Sequence, residues 1–288
     1  MKRRSLADDE RAAVYVEFLV VFMPVFMLFL GMTQIGMLFT GKLVVRHASY
    51  RAARSAIVVL PDDPARYGGA PVDQVSFNET PSGGITGGSL GSFAAFFGVD
   101  IPENIFARGD SRLNMVRLSA AVPILALAPS PQYLQSTTGI RFGGGSSSAE
   151  SLLDGIGFTG RGMDNIGGRF GAGLLYTAAA MAVTFPNAPG GVAQTEGTVS
   201  PGGHEMGSTQ ELTARVTFAY PCVVPGASAL ICDGYNRVRT QGDGSGRNEL
   251  NAAIARGASL LAGRGAYYAL RAETTMTYHG ASYDYDPR

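Results

Sequence analysis

Between Glu17 and Lys42 the chain runs for 24 consecutive residues without a charge, FLVVFMPVFMLFLGMTQIGMLFTG. As a helix this run is roughly 36 Å long, enough to cross a hydrocarbon core of about 30 Å. No other stretch of the 288 residues approaches it, so the sequence predicts at most one membrane crossing. A cleavable secretory signal fits poorly, because the run exceeds a signal-peptide core and no small-x-small cleavage site follows it. The flanking charges leave the orientation open. Lys2, Arg3, Arg4 and Arg11 precede the span, diluted by Asp8, Asp9 and Glu10; Lys42, Arg46, Arg51 and Arg54 follow it with no acid among them.

Composition narrows the function classes. Basic and acidic residues balance at 23 each, so there is no basic field to recruit nucleic acid. With 16% charged and 45% apolar residues, wholesale disorder is excluded. The 39 glycines and 15 prolines imply a fold with many turns, while three His and two Cys offer little for metal or thiol chemistry.

Glu17 stands in an apolar context, Ala12-Ala13-Val14-Tyr15-Val16-Glu17-Phe18-Leu19. A carboxylate at the centre of a lipid-embedded helix costs roughly 2.5–3.5 kcal/mol on insertion scales, and less near the interface. Two readings stand side by side. Glu17 either marks the end of the span at headgroup depth, or it needs a specific cation once the helix leaves the membrane.

The stretch RAAVYVEFLVVFMPVFMLFLGMTQIGMLFTGKLVVRHASYRAARSA resembles the N-terminal segment of TadE-like pseudopilins of the tight-adherence (Tad) pilus system and, more distantly, type IV pilins. The shared pattern is a short charged leader, a small residue, four further residues, then Glu followed by an aromatic, a long apolar helix and a basic, Ala-rich extension. The resemblance covers roughly residues 8–60. It implies cleavage between Ala12 and Ala13 by a prepilin peptidase, removal of residues 1–12 as a leader, and Ala13 as the mature N-terminus. It further implies that Glu17, beside Phe18, pairs with the free amine of a neighbouring subunit during assembly. Ala12 stands where Gly is the commoner pilin residue, and Ala13 lacks the aromatic of many type IV pilins.

From the residues themselves, a long helix is predicted over 13–60, with the transmembrane segment at about 18–41 and a kink at Pro24, whose ring clashes with the preceding turn. Val45, Ala48, Ala52, Ala56 and Val59 recur at three- and four-residue intervals, a stripe expected to lie against the globular part. Pro61-Asp62-Asp63-Pro64 should stop the helix. Beyond it, Arg112 to Pro123, Leu174 to Pro186, Glu211 to Pro221 and Leu270 to His279 look alternating and strand-like, and no second long helix is expected before about Arg247 to Leu261. In the third segment Leu212, Ala214, Val216 and Phe218 alternate with Thr213, Arg215 and Thr217. Turn-rich insertions run over Pro81 to Gly91, Gly143 to Ser148 and Thr195 to Gly207. The fold class is α+β: a long N-terminal helix, half of it packed on an antiparallel sheet in a β-rich domain over 61–288, an arrangement that resembles a pilin.

Cys222 and Cys232 are too far apart for a redox CxxC pair and have too few companions for zinc. If the domain is exported, a disulfide closing CVVPGASALIC is favoured over two buried thiols. His204-Glu205 lacks the second His of a zinc protease, Asp243-Gly244-Ser245-Gly246-Arg247 ends on the wrong residue for a metal-dependent adhesion site, and the glycine runs carry no GKS or GKT. The tail with Tyr278, Tyr283 and Tyr285 reads as an edge strand with surface tyrosines, or as a docking contact.

No catalytic set emerges, so the expectation is no enzyme, no cofactor and no metal. The resemblance implies a minor pilin or pseudopilin of a Tad-type pilus. It would be held in the inner membrane before assembly and lie extracytoplasmic, in or at the tip of the pilus, afterwards. Its partners would be other pilin subunits, the prepilin peptidase and the inner-membrane assembly platform. The competing readings are an uncleaved signal-anchored envelope binding protein or hydrolase, and a secretion-system pseudopilin.

Overall fold

The computed structural model describes residues 10–67, 69–77, 111–130, 173, 176–177, 180–186, 198–199, 209–234 and 266–279. Helix α1, Glu10–Val59, is followed by a 3-10 turn at Pro64–Tyr67 and strand β1, Val75–Ser76. Helix α2, Ser111–Ile124, runs into a 3-10 turn at Leu125–Leu127. Then come β2 (Met181–Thr184), β3 (Thr198–Val199), β4 (Thr209–Pro221), α3 (Ala227–Ile231), β5 (Asp233–Gly234) and β6 (Ala266–His279). The main sheet is antiparallel in the order β2-β4-β6-β5, and β1 pairs with β3 in a separate two-stranded ladder. The long N-terminal helix packed on an antiparallel sheet is the expected α+β, pilin-like arrangement.

The second half of α1 is seated by small residues. Val45, Ala48, Ala52, Ala56 and Val59 are all buried, as their spacing predicts, and Ala53 joins them. Small side chains let the helix approach the sheet closely. At Gly41 an added Cβ would fall 2.8 Å from Leu270 Cδ1 and 3.3 Å from Tyr220 Cδ2, so the backbone touches the sheet where only glycine fits without displacement. Ser49 and Thr274 join helix and sheet through a 2.8 Å hydroxyl pair.

On β4, the residues Leu212, Ala214, Val216 and Phe218 are fully buried on the helix side, in register with Met276, Thr274, Ala272 and Leu270 of β6. The opposite face is not simply solvated. Thr213 and Thr217 are buried too, and Arg215 pairs with Glu273 across the strands at 2.7 Å. Strands β4 and β6 match the predictions for Glu211 to Pro221 and Leu270 to His279, each starting a few residues earlier.

Two of the strand expectations are corrected. Arg112 to Pro123 is helical, the body of α2. Leu113, Val116, Ala120 and Ile124 are buried at three- and four-residue intervals, so the period that governs the segment is 3.6 and not two. A second helix therefore arrives long before residue 247. Among the described residues of Leu174 to Pro186, Met181–Thr184 is strand, while Tyr176, Thr177 and Ala180 are helical in an Ala-rich stretch that favours helix. The predicted helix from Arg247 to Leu261, the Asp243 to Arg247 loop, His204, Tyr283, Tyr285 and the insertions at Pro81 to Gly91 and Gly143 to Ser148 lie outside the described residues. Of Thr195 to Gly207, only Thr198–Val199 is described, and it is β3.

The end of α1 is capped from a distance. Arg112 is fully buried and donates to the carbonyl oxygens of Val59, Leu60 (3.1 Å), Asp62 (2.9 Å) and Ala70 (3.1 Å), with its guanidinium 4.6 Å from the Tyr67 ring centroid. The last carbonyls of a helix lack intrahelical partners and carry its negative dipole end, so a cation with several donors satisfies both demands. Beside it, Tyr67 donates to Asp62 Oδ2 at 2.9 Å; burial and that carboxylate push the phenol pKa up to about 12.

Candidate assembly surface

The first half of α1 packs differently. From Val14 through Phe29 its large side chains are exposed around the helix, and the most apolar window has a mean hydropathy of 2.3 with none of its residues buried. The helix is long and apolar enough to cross a membrane. Phe18, Phe22 and Phe26 stack in succession along one side, with ring centroids 5.3 and 5.5 Å apart. The chain remains helical through Pro24.

Ala12 and Ala13 have helical backbone within the first turn of α1, one turn before Glu17. Glu17 and Phe18 are exposed on the same free end, and no cation among the described residues pairs with the Glu17 carboxylate. The structure thus gathers Ala12, Ala13, Glu17 and Phe18 at one end of one helix, and Pro24 two turns further on. Cys222 and Cys232 lie elsewhere in the chain, where they form a disulfide with a Cα–Cα separation of 6.5 Å. A loop of this size stabilises by on the order of 3 kcal/mol in the chain-entropy picture.

The disulfide loop meets α1 within its uncharged run. Gln34 is completely buried and its Oε1 accepts the backbone N–H of Val224 at 3.3 Å. At Gly226 φ is 80°, a backbone conformation that favours glycine, and a Cβ there would sit 3.2 Å from Met27 Sδ, in tight contact with α1. The loop itself carries α3, with Ser228 N–H donating to Val224 and Cys232 N–H to Ser228, both at 3.0 Å. Neither this contact nor the Arg112 cap was anticipated from the sequence. One signal was available for the first: Gln34 is the single amide in an otherwise apolar run.

Among the described residues no three His, Cys, Asp or Glu side chains come together as a metal site requires. Among the described residues the geometry defines one helix long and apolar enough to span a membrane, exposed from Val14 to Phe29 with Glu17 as the one charge in that stretch, and a helix-backed sheet domain. Residues 12–54 match the family model for TadE-like protein, so the chain carries a TadE-like N-terminal segment. That match covers Glu17, the uncharged run and the buried stripe as far as Ala52, and it supports a protein associated with the Tad pilus system. No curated protein and no solved structure matches the chain.

Proposed function

We propose that the protein is a minor pilin or pseudopilin of a Tad-type pilus, a structural subunit and not an enzyme. In this reading a prepilin peptidase cuts between Ala12 and Ala13, and the inner-membrane assembly platform draws the mature subunit from the bilayer into a filament or onto its tip. The observation that carries it is Glu17: the one charge between Ala13 and Lys42, without a described cation, on an exposed apolar helix within the TadE-like segment. In lipid near the interface that charge is tolerable. Inside an apolar bundle of helices it is costly unless paired, and a free α-amine on a neighbouring subunit supplies the opposite charge. The same energetics makes assembly selective, because a subunit without the amine leaves the acid unpaired.

Intact-mass and N-terminal analysis of the protein taken from its native membrane tests this. A mature chain starting at Ala13 is expected. A chain that retains residues 1–12 has no amine at the required position, and the signal-anchored reading would replace this one.

A further inference from the structure

The uncharged run and the disulfide loop are in contact, which has a consequence for the bilayer. With the cytoplasmic hydrocarbon boundary anywhere from Val14 to Phe18, a core about 30 Å thick takes about 20 helical residues, so the outer boundary falls between Thr33 and Met37. The loop docks on Met27 and Gln34, with Leu30 also lining the Gly226 contact. Met27 lies roughly 9 to 15 Å inside that boundary along the helix axis. The loop cannot sit on Met27 and remain in water.

Its composition fits the depth. CVVPGASALIC carries no charge, its cysteines are bonded, and its exposed side chains include Leu230 at 79% and Val223 at 48%. The backbone N–H groups of Val224, Ser228 and Cys232 are bonded within the protein, which lowers the cost of immersing those three. Further out along the helix, a groove of about 440 Å³ between α1 and β6 is walled by Ile35, Leu38, Phe39 and Ile231 and bordered by Lys42 and Arg271.

We propose that the Cys222–Cys232 loop is a second membrane-contacting element, immersed among the acyl chains of the outer leaflet beside the span. The proposal rests on α1 crossing the bilayer. It makes the unassembled subunit a one-and-a-half-contact membrane protein: the helix spans, and the loop holds the globular domain down on the surface. Extraction into a filament must then strip lipid from both.

The chain contains no tryptophan, so single introduced tryptophans report their own sites. Full-length Leu230→Trp, Phe22→Trp (span) and Val58→Trp (exposed, far end of α1) would each be reconstituted in phosphatidylethanolamine–phosphatidylglycerol vesicles. Bromines would be placed at shallow or deep acyl positions, with aqueous iodide as the opposing quencher. Val223→Trp reads the same loop from its other arm if Leu230→Trp misfolds. For the loop tryptophan we expect blue-shifted emission and a loss of intensity with bromolipid, while iodide leaves it unaffected. Iodide quenching like that of Val58→Trp would overturn the proposal. Shielding from both quenchers would also overturn it, by assigning the loop to contact with a second copy of the chain. If Phe22→Trp itself escapes bromolipid, the spanning reading fails, whereas quenching at Phe22 without quenching at the loop defeats only the present inference.

Discussion

The two halves of α1 are one continuous helix with opposite packing rules. From Val14 to Phe26 the side chains are bulky, β-branched or aromatic, and exposed around the helix. From Val45 to Val59 a stripe of mostly small residues is buried against the domain, while Arg46, His47, Arg51 and Arg54 point outward. The back half is specified by its own domain, through close approach at Ala48, Ala52 and Ala56. Among the described residues the front half has no such partner along Val14 to Phe26, and under the proposed function its surroundings are lipid first and neighbouring helices afterwards. A large-residue surface with no fixed partner can change solvent; a small-residue stripe already packed cannot. That division is what the proposed function, a subunit moving from membrane to filament, requires.

The largest expected effect tests the one exception in the front half. Glu17→Leu leaves no charge between Ala13 and Lys42 and should leave membrane insertion intact while abolishing incorporation into pili, read as loss of the subunit from sheared filaments. Normal piliation in that variant would sink the role assigned to the acid and reduce Glu17 to a marker of the membrane edge.

The next effect belongs wholly to the back half. Arg112→Ala removes the donor that serves four carbonyls at and beyond the end of α1 and leaves a cavity, a loss of roughly 3–5 kcal/mol of domain stability. Arg112→Met restores much of the volume but none of the donors and should recover only a minor part, by thermal or denaturant unfolding in detergent. Full recovery would show that Arg112 acts by filling space.

The comparison sharpens further with a matched pair. Ala52→Leu forces extra carbons into a fully buried position and is expected to destabilise the domain by roughly 1–3 kcal/mol. Val20→Phe, on the exposed front half, should leave the unfolding transition unchanged. Equal effects would mean that the front half packs on the domain after all.

Much of this division was legible in the sequence, because it rests on local pattern. The 24-residue run is read from its unbroken length, and the stripe from Val45 to Val59 and the alternation from Leu212 to Phe218 each follow one period. What stayed hidden depends on contacts across the chain. Leu113, Val116, Ala120 and Ile124 have helical spacing, but the segment shares with the true strands an alternating, Ala-rich look that ends near a Pro. The decisive fact is that Arg112 faces inward to carbonyls some 50 residues earlier, and no local window contains that. Likewise Gln34 looks like an isolated polar defect until Val224, 190 residues later, is placed against it. The candidate cleavage and assembly residues were readable only through the resemblance, since one acid at the edge of an apolar run has two equally physical explanations.

The smallest expected effect lies at the edge of the Arg112 cap. Asp73 is half-buried with φ of 56°, and its Oδ1 accepts a hydrogen bond from Tyr278. Burial raises its carboxyl pKa above the ordinary value, against the weaker opposing pull of Arg112. The folded protein therefore holds this proton more tightly than the unfolded chain does. The stabilisation linked to it is present in full below the unfolded pKa and is lost as pH rises through the folded one. Asp73→Asn keeps the Oδ1 acceptor, suits the left-handed backbone and removes the charge. Because the site is partly solvated the effect is screened, and we expect a Tm increase of roughly 1–2 °C at neutral pH that disappears below the ordinary carboxylate range. A lower Tm for the variant at neutral pH would show that the attraction to Arg112 outweighs burial, and that the cap is a charge pair extending from helix end to turn.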